Sequence, residues 1–201
     1  MSAPKAVIFD LDGTLVDSWE LHVRCVRRAC ASVGAPPPTA ARIRATQCVT
    51  DLGATDLATL ASLAGPAMAP SALATYHDTL HAGLAGSRAL PMPGAGVALA
   101  RLARAGIATG VCTGRSREGA AALLSSVGLP VPLLAAREDA AQPKPAPDGL
   151  HYALARLGVA PADALYVGDT PADRQQGEHA GVRTLLATRG SLLSALEGVA
   201  W

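Results

Sequence analysis

The apolar positions of this chain fall into two regimes. Ala6-Val7-Ile8-Phe9 is an unbroken apolar run that ends in Asp10. Four apolar residues without polar alternation suit a strand covered on both faces, as in a parallel sheet. From Ala95 onward helical and extended patterns alternate. Helices are predicted over Ala95–Ala105, Ser116–Val127, Asp148–Leu157 and Ala172–Ala180. Strands are predicted over Ile107–Cys112, Val131–Ala135, Ala164–Val167 and Val182–Ala187, the second interrupted by Pro132. All four helices stop at a glycine followed by an apolar residue: Gly106-Ile107, Gly128-Leu129, Gly158-Val159 and Gly181-Val182. Such a repeat builds βαβ units and a parallel sheet.

Between Asp17 and Leu90 the pattern is helical throughout. Trp19–Val33 carries an apolar stripe of Val26, Ala29, Cys30 and Val33, with Arg24, Arg27 and Arg28 opposite. Gly34 and Pro36-Pro37-Pro38 end it, and Thr39–Cys48, Thr55–Leu63 and Ser71–Leu84 follow, with Gly65-Pro66 as a break. A crossover helix needs far less chain than this. The segment 18–90 therefore reads as an all-helical cap domain inserted into an α/β core domain of residues 1–17 and 91–201. It follows the carboxyl end of the first strand, where ligands bind in parallel sheets, so it is placed to act as a lid.

Composition narrows the classes. With 17 basic and 16 acidic residues the net charge is +1, which gives no electrostatic reason to expect nucleic acid or an anionic membrane as partner. The N-terminal apolar run is too short for a signal peptide, and no segment has the apolar length of a membrane span. Cys25, Cys30, Cys48 and Cys112 form no CxxC pair and read as reduced thiols of a cytoplasmic protein.

The polar residues at strand ends carry the chemistry. Asp10 and Asp12 flank Leu11 at the end of the first strand. Residues two apart in extended backbone point to the same side, so if that geometry persists past Asp10 two carboxylates converge there and need a cation or a shared proton. Thr113 and Gly114 follow the strand at 107–112. Lys144 precedes a helix, and Gly168-Asp169 through Asp173 follows the strand at 164–167. In a parallel sheet these ends share one edge. Asp10, Asp12 and Asp169 offer hard oxygen ligands that suit Mg²⁺. Lys144 supplies a point charge for a phosphate or a carboxylate nucleophile. Thr113 offers a hydroxyl, and the helix beyond it is expected to present free N–H groups to an anion.

In this order the residues resemble the motifs of the haloacid dehalogenase superfamily, in its phosphoglycolate phosphatase and β-phosphoglucomutase-like branch with a small helical cap. Asp10-Leu11-Asp12-Gly13-Thr14 resembles the nucleophile motif, Thr113 the second, Lys144-Pro145 the third, and Gly168-Asp169 to Asp173 the fourth. The resemblance implies a Rossmann-like doubly wound parallel sheet with the inserted cap. It implies Asp10 as nucleophile and Asp12 as general acid/base, with Mg²⁺ bound by the Asp10 carboxylate, the Asp12 backbone carbonyl and Asp169. Thr113, Gly114 and Lys144 would bind the phosphoryl group of a small-molecule phosphomonoester, and Asp173 would support Lys144 and the metal's water shell. A cytoplasmic monomer or homodimer is expected.

Within the superfamily, Asp12 separates this chain from the dehalogenases, which lack a proton donor there. The only lysines are Lys5 and Lys144. A phosphonate hydrolase would use a cap lysine, and a β-phosphoglucomutase-like mutase typically does as well. Hydrolysis through an aspartyl-phosphate is therefore the leading reading, the mutase the alternative, and a non-catalytic phospholigand-binding protein the third. Two departures stand out. Arg174-Gln175-Gln176-Gly177 replaces the apolar and small residues usual after Asp173, and Arg44–Thr50 lacks the glycine often found in the substrate-specificity loop. Ser116 reads as a helix cap, Cys112 as a core residue, and Trp19 as a packing residue at the lid hinge. The cap arginines Arg24, Arg27, Arg28, Arg42 and Arg44 suit an anionic or polar substrate.

Overall fold

The computed structural model describes residues 3–49, 56–86, 89–187 and 192–199. Their elements run β1 (Ala6–Phe9), β2 (Val16–Asp17), α1 (Trp19–Ser32), α2 (Ala40–Val49), α3 (Asp56–Ala64), α4 (Ala69–Gly86), β3 (Leu90–Pro91), α5 (Ala95–Arg104), β4 (Ala108–Cys112), α6 (Arg117–Ser126), β5 (Leu134–Ala135), α7 (Asp148–Leu157), β6 (Ala164–Gly168), α8 (Pro171–Ala180), β7 (Arg183–Leu186) and α9 (Leu192–Ala195). Two compact units emerge. One joins Met1–Asp17 to Ala89–Trp201, and the other is Ser18–Arg88.

The first unit is a parallel five-stranded sheet of order β5-β4-β1-β6-β7. The apolar run takes the centre, and all four residues of β1 are fully buried. Its neighbours are in register, with Phe9 opposite Val111 on β4 and Val167 on β6. Crossover helices cover the sheet, and one face packs Ile8, Cys112, Leu150, Leu154 and Tyr166 into a common core. The parallel sheet is the one the alternating pattern predicts, and the Rossmann-like α/β fold is the one the resemblance implies.

The four glycine stops share one geometry. Gly106, Gly128, Gly158 and Gly181 all have φ between +65° and +69°. In each case the apolar residue behind the glycine donates its N–H back into the helix, as Val182 does to Gly177 O at 2.9 Å. A side chain at that φ would be strained, which is why glycine marks the helix ends so clearly.

Two features depart from the sequence reading. The strand expected over Val131–Ala135 is only Leu134–Ala135, because Pro130 and Pro132 remove the donors a longer edge strand needs. An antiparallel ribbon also pairs Val16 with Pro91 and Asp17 with Leu90. It holds together the two points where the inserted segment leaves and rejoins the chain. Two residues per strand, one of them proline, leave no periodicity to read.

The second unit is all helical. Leu21, Val26, Cys30, Ile43, Leu60 and Tyr76 form its core, and Arg24, Arg27 and Arg28 are exposed as the stripe predicts. Trp19 is half-buried against this core, with the Arg44 guanidinium 3.9 Å above its ring centroid. The Thr55 start of the third helix and Thr50 of the expected specificity loop lie outside the described residues, as do the side chains of Gln47, Cys48 and Val49. Cys25, Cys30 and Cys112 are buried and in no disulfide. Among the described residues no helix is long and apolar enough to cross a membrane.

Candidate active site

The carboxyl edge of the sheet gathers the polar residues. Asp10 continues the central strand by one residue, its N–H donating to Val167 O at 2.8 Å. Its side chain is buried and meets Lys144, whose Nζ lies 2.5 Å from Asp10 Oδ1. The same Nζ lies 2.7 Å from Asp173 Oδ1 and 2.7 Å from the Tyr166 hydroxyl. An ammonium has three hydrogens, and here each has an acceptor.

Asp173 is the buried anchor of this group. Tyr166 donates to its Oδ1 at 2.7 Å, and Thr170 Oγ1 and N–H donate to its Oδ2 at 2.5 and 3.0 Å. The Asp173 N–H in turn donates to Thr170 Oγ1, so the start of α8 is closed by a capping box. Asp169 lies one turn before it on the same edge, with Thr14 Oγ1 donating to its Oδ1 at 3.5 Å.

Asp10, Asp169 and Asp173 each offer a carboxylate oxygen, and these oxygens lie within 4.8 Å of one another. Three carboxylates then face one ammonium, and the local charge is short of cations. Burial pushes the Asp10 carboxyl well above the ordinary range; Lys144 pulls it back, and the neighbouring acids push it up again. Burial and the Asp173 charge raise Asp169 to about 6. Asp173 goes the other way. Burial opposes its charge, but Lys144 and the hydrogen bonds from Lys144, Thr170 and Tyr166 hold it at about 2. Burial also works against the Lys144 charge, yet Asp10 and Asp173 raise its pKa well above the usual lysine value.

This donor set fits a hard divalent cation. Both Asp173 oxygens are engaged by donors, which leaves Asp10 and Asp169 as the carboxylates with room for an ion. The loop leaves space beside Asp169 as well: a Cβ on Gly13 would stand 2.4 Å from Asp169 Oδ2. Gly13 has φ +84°, so the turn after Asp12 requires glycine for backbone reasons too.

Two sequence expectations are corrected here. The Asp12 carboxylate does not join the cluster formed by Asp10, Asp169 and Asp173. Asp12 turns to Arg115, with Nε 2.6 Å from Oδ2 and Nη2 2.7 Å from Oδ1. The extended geometry ends at Asp10, so the two-residue rule no longer applies. The helix start beyond Thr113 is not a set of free donors either. Glu138 accepts from the Arg117 N–H at 2.9 Å, and Ser116 caps the helix by accepting from the Gly119 N–H at 3.3 Å. Thr113 itself is buried and accepts from the Arg115 N–H at 3.2 Å, while Gly114 is exposed with open space beside its Cα. Arg115 and Tyr166 are the polar partners that sequence reasoning missed. Arg115 had a signal, being a cation two residues past Thr113 at the same sheet edge. Tyr166 had only a hydroxyl in an apolar strand.

The model of the haloacid dehalogenase-like hydrolase family matches residues 7–187. The chain belongs to that family. A phosphoglycolate phosphatase of Xanthomonas campestris pv. campestris (strain 8004) is 31% identical over 203 residues, covering 100% of this chain and 90% of the relative. An N-acetylmuramic acid 6-phosphate phosphatase of Pseudomonas aeruginosa is 30% identical over 194 residues, covering 92% and 82%. A haloacid dehalogenase-like family hydrolase of Streptococcus pneumoniae shares the fold, with a TM-score of 0.79 at 23% identity over 98% of this chain and 90% of that one. These relatives place the chain in the family's phosphatase branch, close to the phosphoglycolate phosphatases.

Proposed function

We propose that this haloacid dehalogenase-like phosphatase hydrolyses a small-molecule phosphomonoester through an aspartyl-phosphate on Asp10, with Mg²⁺ as cofactor. The observation that carries the reading is the buried Asp10 carboxylate, held 2.5 Å from Lys144 Nζ beside Asp169. Such a carboxylate is screened from water and backed by a fixed positive charge, as an attacking oxygen requires.

In the first half of the reaction an Asp10 oxygen attacks phosphorus, and the bond to the ester oxygen breaks. Asp12 gives that oxygen its proton. In the second half Asp12 takes a proton from water, whose oxygen attacks phosphorus and frees Asp10 and inorganic phosphate. Lys144, Thr113 and the Gly114 backbone bind the phosphoryl oxygens, and Asp173 keeps Lys144 in place. Asp10, Asp169 and the Asp12 backbone carbonyl would hold the Mg²⁺. Its chemistry is to neutralise phosphoryl charge as the oxygens approach. The helical unit of residues 18–90, read as the cap domain beside a core of 1–17 and 91–201, is assigned to substrate choice. Phosphoglycolate and N-acetylmuramic acid 6-phosphate, the compounds named for the relatives, are the first substrates to try.

Hydrolysis of 4-nitrophenyl phosphate should require Mg²⁺, and Asp10→Asn should abolish it. Turnover by Asp10→Asn at the parent rate would sink the mechanism. Release of free phosphate from a hexose 1-phosphate, rather than its isomerisation, would separate hydrolase from mutase.

A further inference from the structure

We propose that Arg115 is a positioning residue that holds the Asp12 carboxylate in its working orientation. The proposal rests on Asp12 being the acid/base group of the reading above. It deepens that reading by naming what keeps Asp12 in place.

The pair is a fork on a fork. Arg115 Nε and Nη2 donate to the two Asp12 oxygens at 2.6 and 2.7 Å. Two parallel bonds fix the plane of a carboxylate as well as its position, whereas a single bond or a point charge lets it turn. Both residues are anchored at their backbones. The Arg115 N–H donates to Thr113 Oγ1 at 3.2 Å, and its carbonyl accepts from the Arg137 N–H at 2.8 Å. On the other side, the Gly13 N–H donates to Val16 O at 2.8 Å, and Leu11 O accepts from the N–H groups of Leu15 and Val16. With both roots fixed, side-chain rotation is the freedom left, and the fork restricts it.

Exposure decides the division of labour. The Arg115 side chain is 9% exposed and the Asp12 side chain 33%. Arg115 is thus the inner support and Asp12 the outer group that a reactant can reach. A guanidinium placed to bind substrate would have the opposite arrangement. Arg115 therefore acts through Asp12, on the proton given to the leaving oxygen, and its loss should show most where that proton matters most.

Two esters of nearly the same shape report on this. Phenol is a poor leaving group, with a pKa of about 10. 4-Nitrophenol is far more acidic and leaves with little protonic help. kcat/KM covers the steps up to cleavage of the ester bond, so it isolates the half-reaction in which Asp12 acts as acid. The full chain with Mg²⁺ is assayed on phenyl phosphate and 4-nitrophenyl phosphate, as parent, Arg115→Ala, Arg115→Lys, Asp12→Asn and Asp12→Asn/Arg115→Ala. Arg115→Ala should lower kcat/KM for phenyl phosphate on the order of 10²-fold, the usual effect of a misplaced catalytic group. For 4-nitrophenyl phosphate the loss should stay within about threefold. Arg115→Lys should fall between parent and Arg115→Ala on phenyl phosphate, and it gives the same decision should the alanine variant fold poorly. Added guanidinium chloride should restore part of the phenyl phosphate activity of Arg115→Ala. The double variant should match Asp12→Asn, since a residue acting through Asp12 has nothing left to position.

Equal losses on both esters, undiminished activity in Arg115→Ala, or additive losses in the double variant would overturn the proposal. Should Asp12→Asn itself lose both esters alike, the acid/base reading fails and takes the proposal with it. Should Asp12→Asn separate the esters while Arg115→Ala does not, the proposal fails alone.

Discussion

The Tyr166 hydroxyl lies 2.7 Å from Lys144 Nζ and 2.7 Å from Asp173 Oδ1, bridging the two charges. It accepts from the ammonium and donates to the carboxylate, both within the buried edge of the sheet. Tyr166→Phe keeps the ring and removes both bonds. A buried ammonium hydrogen and a carboxylate lone pair then lose a partner, which should cost about 1–3 kcal/mol of stability. Lys144 keeps its bonds to Asp10 and Asp173, so its ammonium stays in place for a phosphoryl oxygen. Inhibition by inorganic phosphate should therefore hold within about twofold while the denaturation midpoint falls. An unchanged midpoint would show that the hydroxyl is not part of the scaffold.

Asp169 gives the site a pH signature. Its folded pKa of about 6 is raised above the ordinary 3.8, so the folded chain holds this proton more tightly than the unfolded chain. The stabilisation it brings is fully present below pH 3.8 and lost as pH rises through 6, on the order of 2–3 kcal/mol without a cation. Asp173 runs the opposite way. With its folded pKa at about 2, its stabilisation is present above pH 3.8 and lost as pH falls towards 2. A divalent ion on Asp169 competes with its proton. The rise in melting temperature on adding Mg²⁺ should thus be small at pH 5 and large at pH 7.5. Equal Mg²⁺ shifts at both pH values would contradict this.

Gly13 ties the turn to that same carboxylate. At φ +84° an alanine is strained, by about 1–2 kcal/mol, and its Cβ would meet Asp169 Oδ2 at 2.4 Å. Either the loop or the Asp169 side chain must move. Gly13→Ala should lower activity at least about 10²-fold, on the scale of misplaced catalytic groups, and blunt the Mg²⁺ shift in melting temperature. A variant with parent activity and a parent Mg²⁺ response would show that the loop has slack the structure does not suggest.

What could be read from the chain follows a physical division. Parallel strands share an edge, so the alternation by itself brings together Asp10, Lys144, Asp169 and Asp173, each at a strand end, at a helix start or in the loop before a helix. Glycine stops were legible because a left-handed helix end admits few other residues. The pairing of Asp12 with Arg115 was not legible, since two side chains that meet from loops 103 positions apart leave no period in either loop. The α6 start hides a partner for a related reason: the Arg117 N–H donates to Glu138, 21 positions further along the chain, while only the Ser116 cap on Gly119 is visible locally.

The run Arg174-Gln175-Gln176-Gly177 shows how an unusual sequence still packs α8. Arg174 and Gln175 are exposed. Gln176 is buried, and its Nε2 donates to Ala146 O at 3.0 Å, tying the helix to the loop that carries Lys144. Gly177 then lets the helix lie against β7, where a Cβ would stand 1.7 Å from Thr184 Oγ1. Two effects compete in Gly177→Ala. Helix propensity favours alanine by about 1 kcal/mol. Overpacking against Thr184 costs about 1–3 kcal/mol, and Thr184 is tethered by its own bond to Val182 O at 3.1 Å. The clash should win, so Gly177→Ala should be destabilised in urea. Thr184→Ala removes the obstructing hydroxyl, so Gly177→Ala/Thr184→Ala should be more stable than the sum of the single effects, by about 1 kcal/mol or more. Strict additivity would mean that the helix shifts as a body. In that case Asp173, in the first turn of the same helix, should move with it, and phosphatase activity should fall with the fold.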